Sequence, residues 1–333
     1  MKQLIIINIQ IFLKHIALLL VLLPGPNLHG QGRKLVFSAH WMPQAQFAGF
    51  YVAKDQGYYT EAGLDVEIIH PPASIAATEF LKDGRADVIS LFLTTAINNR
   101  QKGLDLVNIG QLSQHSAILF VALKKNAINE LSVLNGRKIG IWSSGFDEVP
   151  KAMVSKNGLS VEWIPLLSTV NLLLAGGIDA MTVMYYNEYN QVYLTGVDLD
   201  EMNTFYMSDY GFDIPEDGLY VLRRTAAARK EDLGAFVAAT LRGWRYASEN
   251  KDYTLDLVIR LMRQGSIPAN RSHQKWMLDK VLEMQDPKGK NIKPAELARE
   301  DFGQAIGIMK NHYKLAFDFT YDDFFRPVLP VKQ

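Results

Sequence analysis

The sequence predicts an α/β protein of two lobes, each a parallel sheet flanked by helices. Three observations carry this. Strand-like and helix-like segments alternate, which is the pattern of parallel sheets with helices on both faces. A degenerate repeat runs through both halves at a spacing of about one domain. The chain has 333 residues, more than one hydrophobic core usually organises.

The first thirty residues read as an address. Lys2 and Lys14 supply positive charge, Ile16 to Leu23 is an unbroken apolar run, and Pro24-Gly25-Pro26 and the small-residue patch Gly30 to Gly32 follow. That order predicts a secretory signal peptide over 1–30. The run is too short to span a bilayer. Leu4 to Leu13 is also apolar, so an uncleaved anchor is the competing reading. Leu28 stands where a small residue is expected before the cleavage site.

The repeat follows. Arg33-Lys34-Leu35-Val36-Phe37 is echoed by Arg137-Lys138-Ile139-Gly140-Ile141, each run preceding a tryptophan, Trp41 and Trp142. Gly63-Leu64-x-Val66-Glu67 is echoed by Gly158-Leu159-x-Val161-Glu162, and Leu81-x-x-Gly84-x-x-Asp87 by Leu173-x-x-Gly176-x-x-Asp179. The offsets are 104, 95 and 92. In the first copy, Leu35–Ala39, Leu64–Ile69 and Asp87–Leu91 read as strands. Phe47–Gln56 and Ser74–Lys82 read as helices, the second with Ser74 as N-cap. The remainder (226–248, 253–263, 272–283, 294–310) is helical in pattern and is expected to pack on the first lobe. Asp87 and Asp179 hold matched positions, which points to loop bracing.

Composition narrows the function. There are 35 basic and 35 acidic residues, which argues against a nucleic-acid binder, and no cysteine, which removes disulfides, thiolate metal sites and Cys-linked lipid. The seven histidines show no metal-ligand spacing. No nucleophile elbow, P-loop or dinucleotide fingerprint occurs. Neither metal nor cofactor nor catalysis is expected.

Ligands bind beyond the carboxyl ends of parallel strands. Four loops qualify: His40-Trp41-Met42-Pro43-Gln44, Ser90-Leu91-Phe92, Trp142-Ser143-Ser144-Gly145-Phe146 and Tyr185-Tyr186-Asn187-Glu188-Tyr189. They are rich in aromatic rings and hold one carboxylate, Glu188, a composition suited to a flat, neutral or weakly basic ring. Ser143-Ser144-Gly145 with Ser90 also allows an anionic group. Tyr51 and Phe47 share a helical stripe, a pattern equally at home in a core.

The stretch Trp41-x-Pro43-x(3)-Phe47-Ala48-Gly49-Phe50-Tyr51-Val52-Ala53-x(3)-Gly57-Tyr58-Tyr59-x(3)-Gly63-Leu64-Asp65-Val66 resembles the opening signature of the thiamine-precursor (NMT1/THI5-like) family of periplasmic binding proteins. Gly84-x-Ala86-Asp87-Val88, Ile141 to Phe146 and Asp209-Tyr210-Gly211-Phe212 also fit. The resemblance covers roughly Lys34 to Arg224. It implies a type II periplasmic-binding-protein fold: lobe 1 over 31–121 and 222–333, lobe 2 over 122–221, a ligand cleft between them, and hinge crossovers near Phe120–Leu123 and Leu219–Leu222. It implies a formylated aminopyrimidine ligand, an inner-membrane ABC permease as partner, a monomer, and a place in thiamine biosynthesis. Carried over by position, Trp41 and Tyr51 contact the ligand from the first lobe, Trp142, Ser143, Ser144, Gly145 and Phe146 contact it from the second, and Glu188 accepts hydrogen bonds from the ring. Phe47 on the helical stripe, and Ser90, Phe92 and Tyr186 at the strand ends, are further ligand-binding candidates from their placement. The fungal synthases of the same family use a cysteine-rich motif that is absent here. A riboflavin, sulfonate or nitrate binder, and a sensor module reporting to a membrane histidine kinase, are the alternative readings.

Overall fold

The computed structural model describes residues 32–72, 74–142, 146–167, 169–314 and 316–329. The expected signal peptide with its cleavage site, and Ser143, Ser144 and Gly145, lie outside them. All that follows concerns the unit Arg33–Gln333.

Ten strands form two five-stranded sheets among the described residues. The first contains β1 (Arg33–Ser38), β2 (Leu64–Ile69), β3 (Val88–Phe92), β4 (Leu106–Gln111) and β10 (Asp217–Leu222), in the order β2-β1-β3-β10-β4. The second contains β5 (Ile118–Leu123), β6 (Lys138–Trp142), β7 (Glu162–Leu166), β8 (Ala180–Met184) and β9 (Met202–Tyr206), in the order β7-β6-β8-β5-β9. In each sheet four strands run in one direction and one, β10 or β5, runs antiparallel between the third and the fifth. β3 and β8 are buried at all five positions, as strands covered on both faces must be.

The helices are α1 (Ala48–Asp55), α2 (Tyr58–Glu61), α3 (Ala77–Lys82), α4 (Leu93–Gln101), α5 (Glu148–Lys156), α6 (Asn171–Leu174) and α7 (Glu188–Leu194). Then come α8 (Arg223–Ala228), α9 (Lys230–Glu249), α10 (Lys251–Gln264), α11 (Arg271–Gln285), α12 (Arg299–Tyr313) and α13 (Tyr321–Phe324). Ser74 caps nothing: α3 starts three residues later, behind Ala76, without a side-chain cap. The last helical pattern starts at Arg299 rather than Pro294, because the preceding segment is non-helical.

The repeat is real in three dimensions, with one correction to its register. Phe37 pairs with Ile68 and Val88, whereas Ile139 pairs with Trp163 and Ala180. Phe37 therefore corresponds to Ile139, an offset of 102 and not 104. The tryptophans do not match each other; His40 matches Trp142. The other two echoes keep their offsets. Gly63 and Gly158 both have left-handed φ, 74° and 67°, a conformation that only glycine adopts cheaply at a helix-to-strand turn. The aspartates brace the sheets as expected. Asp87 Oδ2 accepts from the Val36 amide at 2.8 Å, and Asp179 Oδ2 from the Lys138 amide at 2.9 Å.

The chain crosses between sheets through residues 112–117 and returns through 211–216. The segments expected to be crossovers, Phe120–Leu123 and Leu219–Leu222, instead lie inside β5 and β10, each deep in a sheet. Their apolar character reflects burial on both faces. The crossovers are laced together. The Asp217 carbonyl accepts from the amides of Leu112 and Ser113 at 2.9 and 3.0 Å. Asp213 accepts from the Ser116 amide and from His115, each at 2.8 Å. Glu216 Oε1 accepts from the Ala117 amide at 2.5 Å and from Ser116 Oγ at 3.1 Å.

The helical tail packs on the first sheet through α9 and α1. A Cβ on Gly243 would sit 2.1 Å from the Gly49 carbonyl, so only glycine permits this approach. Contrary to expectation, the tail also reaches the second sheet's elements: α11 touches α7, and Tyr313 of α12 donates to the Glu148 carbonyl at 3.3 Å.

Burial holds the Glu216 carboxyl well above the usual carboxylate range. Glu216→Ala leaves the Ala117 amide unpaired and is expected to lower stability by about 1–3 kcal/mol. Glu216→Gln keeps the acceptor and is expected to stay within about 1 kcal/mol of the parent. Urea unfolding of the two variants checks this.

Candidate functional site

The carboxyl ends of β1, β3, β6 and β8 open into one cleft between the sheets. The first sheet contributes His40, Trp41, Gln44, Gln46 and Phe92, and the second Trp142, Phe146, Met184, Tyr186, Asn187 and Glu188. The free space left between these side chains is about 30 Å³, room for one or two waters, so they nearly fill the cleft themselves.

Rings make most of the wall. Phe146 crosses from the second side and meets Phe92 edge-on at 4.7 Å, His40 at 5.8 Å and Trp41 at 6.3 Å. Trp142 is buried, and its Nε1 has no hydrogen-bond partner among the described residues. A buried donor without a partner is costly, so an acceptor placed here would be held firmly.

Glu188 is 6% exposed at the start of α7. Its Oε2 accepts from the Met184 amide at 2.9 Å and its Oε1 from Asn187 Nδ2 at 2.7 Å. Burial pushes its carboxyl up to about 7, against the pull of the backbone N–H groups. No lysine or arginine lines the cleft among the described residues.

His40 is fixed from behind. Its amide donates to Ser90 Oγ at 3.1 Å, and its Nδ1 lies 2.8 Å from the same oxygen. Gln46 Nε2 reaches both His40 Nε2, at 3.3 Å, and Asp217 Oδ2, at 2.9 Å. Gln46 can donate to both only if His40 Nε2 is the bare acceptor, which puts the ring proton on Nδ1. Burial lowers the His40 pKa to about 3, so the ring is neutral, and its 3.7 Å approach to Asp217 is no ion pair. Burial raises Asp217 to about 7.

Of the residues singled out from sequence, the structure gathers Trp41, Phe92, Trp142, Phe146, Tyr186 and Glu188 around the cleft. Three stand elsewhere. Phe47 is fully buried core beneath His40, at 5.3 Å. Tyr51 bonds His70 Nε2 at 3.0 Å, and His70 Nδ1 is 2.6 Å from the Trp41 carbonyl, so Tyr51 supports the Trp41 loop from behind. It lines a separate cavity with Lys54 and Leu257. Ser90 is the bracket of His40. The helical stripe of Phe47 and Tyr51 thus belongs to packing.

Sequence reasoning missed His40, Gln44, Gln46, Met184 and Asn187 as lining residues. His40, Gln44 and Asn187 sit in the strand-end loops marked from sequence, and only their polar character hid them. Gln46 lies in a short 3₁₀ turn, Ala45–Phe47, which carries no distinctive signal.

Residues 44–253 match the family described as NMT1/THI5 like. The chain is 27% identical over 259 residues to the formylaminopyrimidine-binding protein of Halalkalibacterium halodurans, spanning 75% of this chain and 77% of that one. It is 24% identical over 269 residues to the riboflavin-binding protein RibY of Chloroflexus aurantiacus, spanning 78% and 75%. In structure it is similar to the periplasmic aliphatic sulphonate binding protein SsuA of Escherichia coli, with a TM-score of 0.68 and 15% identity over 88% of this chain and 97% of that one. That last likeness shows the fold alone: two α/β lobes of the type II periplasmic-binding-protein kind. With the family match covering more than half of the chain, and with this fold and cleft, the protein belongs to the NMT1/THI5-like family.

Proposed function

We propose that the protein is the solute-binding component of an ABC importer outside the cytoplasmic membrane, and that it holds a one-ring aminopyrimidine between its lobes. In this reading residues 33–111 and 217–329 form one lobe and 118–210 the other. The protein works as a monomer and hands its ligand to a membrane permease. No helix of the described residues is long and apolar enough to cross a membrane.

The observation that carries the reading is Glu188, a buried carboxyl in an aromatic cleft without a cation. An aminopyrimidine offers an exocyclic N–H beside a ring nitrogen. A carboxyl accepts from the first and shares one proton with the second, giving two parallel, charge-assisted bonds. Trp142 Nε1–H is free among the described residues to donate to a further acceptor on the ligand. The flanking rings stack on the pyrimidine faces. A sulfonate fits poorly, since the described lining offers no positive side chain and Glu188 repels an anion.

Calorimetry of the purified protein tests it against formylaminopyrimidine, hydroxymethylpyrimidine, thiamine, riboflavin and taurine. Binding is expected for the two free pyrimidines and not for riboflavin or taurine. Silence across the whole panel overturns the reading. Glu188→Gln keeps the shape but loses the charge assistance, and is expected to weaken pyrimidine binding by about 10- to 100-fold.

Glu188 also makes a pH prediction for the ligand-free protein. Its carboxyl rises from an ordinary 4.5 to about 7 on burial. A raised carboxyl favours the folded state fully below 4.5, and that support is lost as pH rises towards 7. Glu188→Gln removes the titration. Relative to the parent, the variant is expected to gain about 2–3 kcal/mol between pH 5 and pH 8, read by urea unfolding at both values. An equal change in both proteins would mean that Glu188 ionises freely.

A further inference from the structure

The first turn of α11 touches both strand-end loops of the cleft from outside it. Gln274, 2% exposed, accepts from the Ala45 amide through Oε1 at 2.7 Å, and so holds the end of the Trp41 loop. Its neighbour His273, 7% exposed, faces the other lobe. His273 Nε2 is 3.0 Å from Asn187 Oδ1, and Nδ1 is 2.9 Å from Asn190 Oδ1. One turn on, Trp276 Nε1 donates to the Tyr185 carbonyl at 2.9 Å. Asn270 caps the helix by accepting from the His273 amide at 3.1 Å, which fixes where this turn begins.

The orientation of Asn187 ties the contact to the ligand site. Its Nδ2 donates to Glu188 Oε1, so its Oδ1 points away from Glu188, accepts from Gln191 Nε2 at 2.9 Å and meets His273. The His273 ring proton therefore sits on Nε2. The Asn190 amide suits the bare Nδ1 after a half-turn that exchanges its O and N. Burial lowers His273 to about 4, and no charged side chain contributes to that shift. Arg271 and Lys275, its charged neighbours on α11, are paired with Asp252, Asp256 and Asp279. A neutral ring thus holds Asn187 without placing a second charge beside Glu188.

We propose that this turn is a clasp on the binding site: His273 positions Glu188 through Asn187, and Gln274 positions the Trp41 loop through Ala45. The pair are positioning residues, adjacent in sequence and bonded to opposite lobes, so the clasp is made whole only when the cleft is closed. The effect on ligand affinity rests on the reading that the cleft holds an aminopyrimidine. The effect on the loops does not.

Two measurements on His273→Ala and His273→Gln keep these apart. Amide hydrogen exchange of residues 185–188 is followed without ligand, and formylaminopyrimidine affinity by calorimetry. His273→Ala is expected to speed exchange in that segment and to weaken affinity about tenfold, the loss of roughly one buried hydrogen bond. Glutamine offers one donor and one acceptor and is expected to restore affinity to within about threefold of the parent, which a purely space-filling role would not allow. Unchanged exchange in His273→Ala, or a glutamine variant as weak as the alanine, overturns the clasp. If the parent binds no pyrimidine, the function reading fails and the exchange result alone decides the clasp. Should His273→Ala not fold, Asn190→Ala removes the Nδ1 partner in its place, with the same two readouts and the same outcomes.

Discussion

Backbone groups that leave a sheet but stay buried must still be paired. At the point where the chain returns to the first sheet, residues 213–217 meet this need for the outgoing crossover as well as their own. Asp213 and Glu216 take the amides of Ser116 and Ala117, and the Asp217 carbonyl takes those of Leu112 and Ser113. The two crossovers therefore bend as one ribbon. Asp217 goes further, because its carboxyl holds Gln46, which holds His40 at the cleft wall. Three side chains link the hinge to the site. A polar chain of this kind has few alternative arrangements.

The fold was legible because its period is redundant. Two copies of strand, helix and strand gave independent estimates of the same order, and the glycines at positive φ marked equivalent turns. What misled was the first strand. Arg33-Lys34 and Arg137-Lys138 look alike because both open a strand at the solvent edge, yet the hydrogen-bonded register sets them two residues apart. A strand's side chains alternate, so an even slip keeps every apolar residue on its face and leaves no trace in the pattern. The crossovers were misplaced for a related reason. Strands such as β5 and β10, buried on both faces, read as plain apolar segments, while the true crossovers are polar and hydrogen-bonded.

At the site, aromatic composition found the rings at strand ends but could not tell wall from foundation. Trp41 and Tyr51 look equally promising in sequence; His70 stands between them and makes one the support of the other. The corrected register gives His40 and Trp142 equivalent places, one from each lobe. Both are planar, and burial keeps His40 neutral, so the pair presents two flat, uncharged edges across the cleft. The charges are held back: Glu188 and Asp217 both titrate near neutrality because burial disfavours their ionised forms. A cleft built this way rewards a ligand that brings donors and a shareable proton, and gives little to one that brings a fixed negative charge.

Contacts of opposite character join the two sides of the cleft without a ligand. Phe146 against Phe92 and His40 buries apolar surface there. Away from the cleft, Glu148 of α5 is taken out of water between the lobes, where Thr95 and Asn98 of α4 donate to it at 3.2 Å. Burial first, and then the neighbouring Asp147, raise its carboxyl to about 7, against the pull of Asn98 and Thr95. A ligand shifts an equilibrium between two forms only by the difference in its affinity for them. In the proposed reading that difference comes from Trp142 and Glu188 on one side of the cleft and Trp41 and His40 on the other, which line one pocket in this structure.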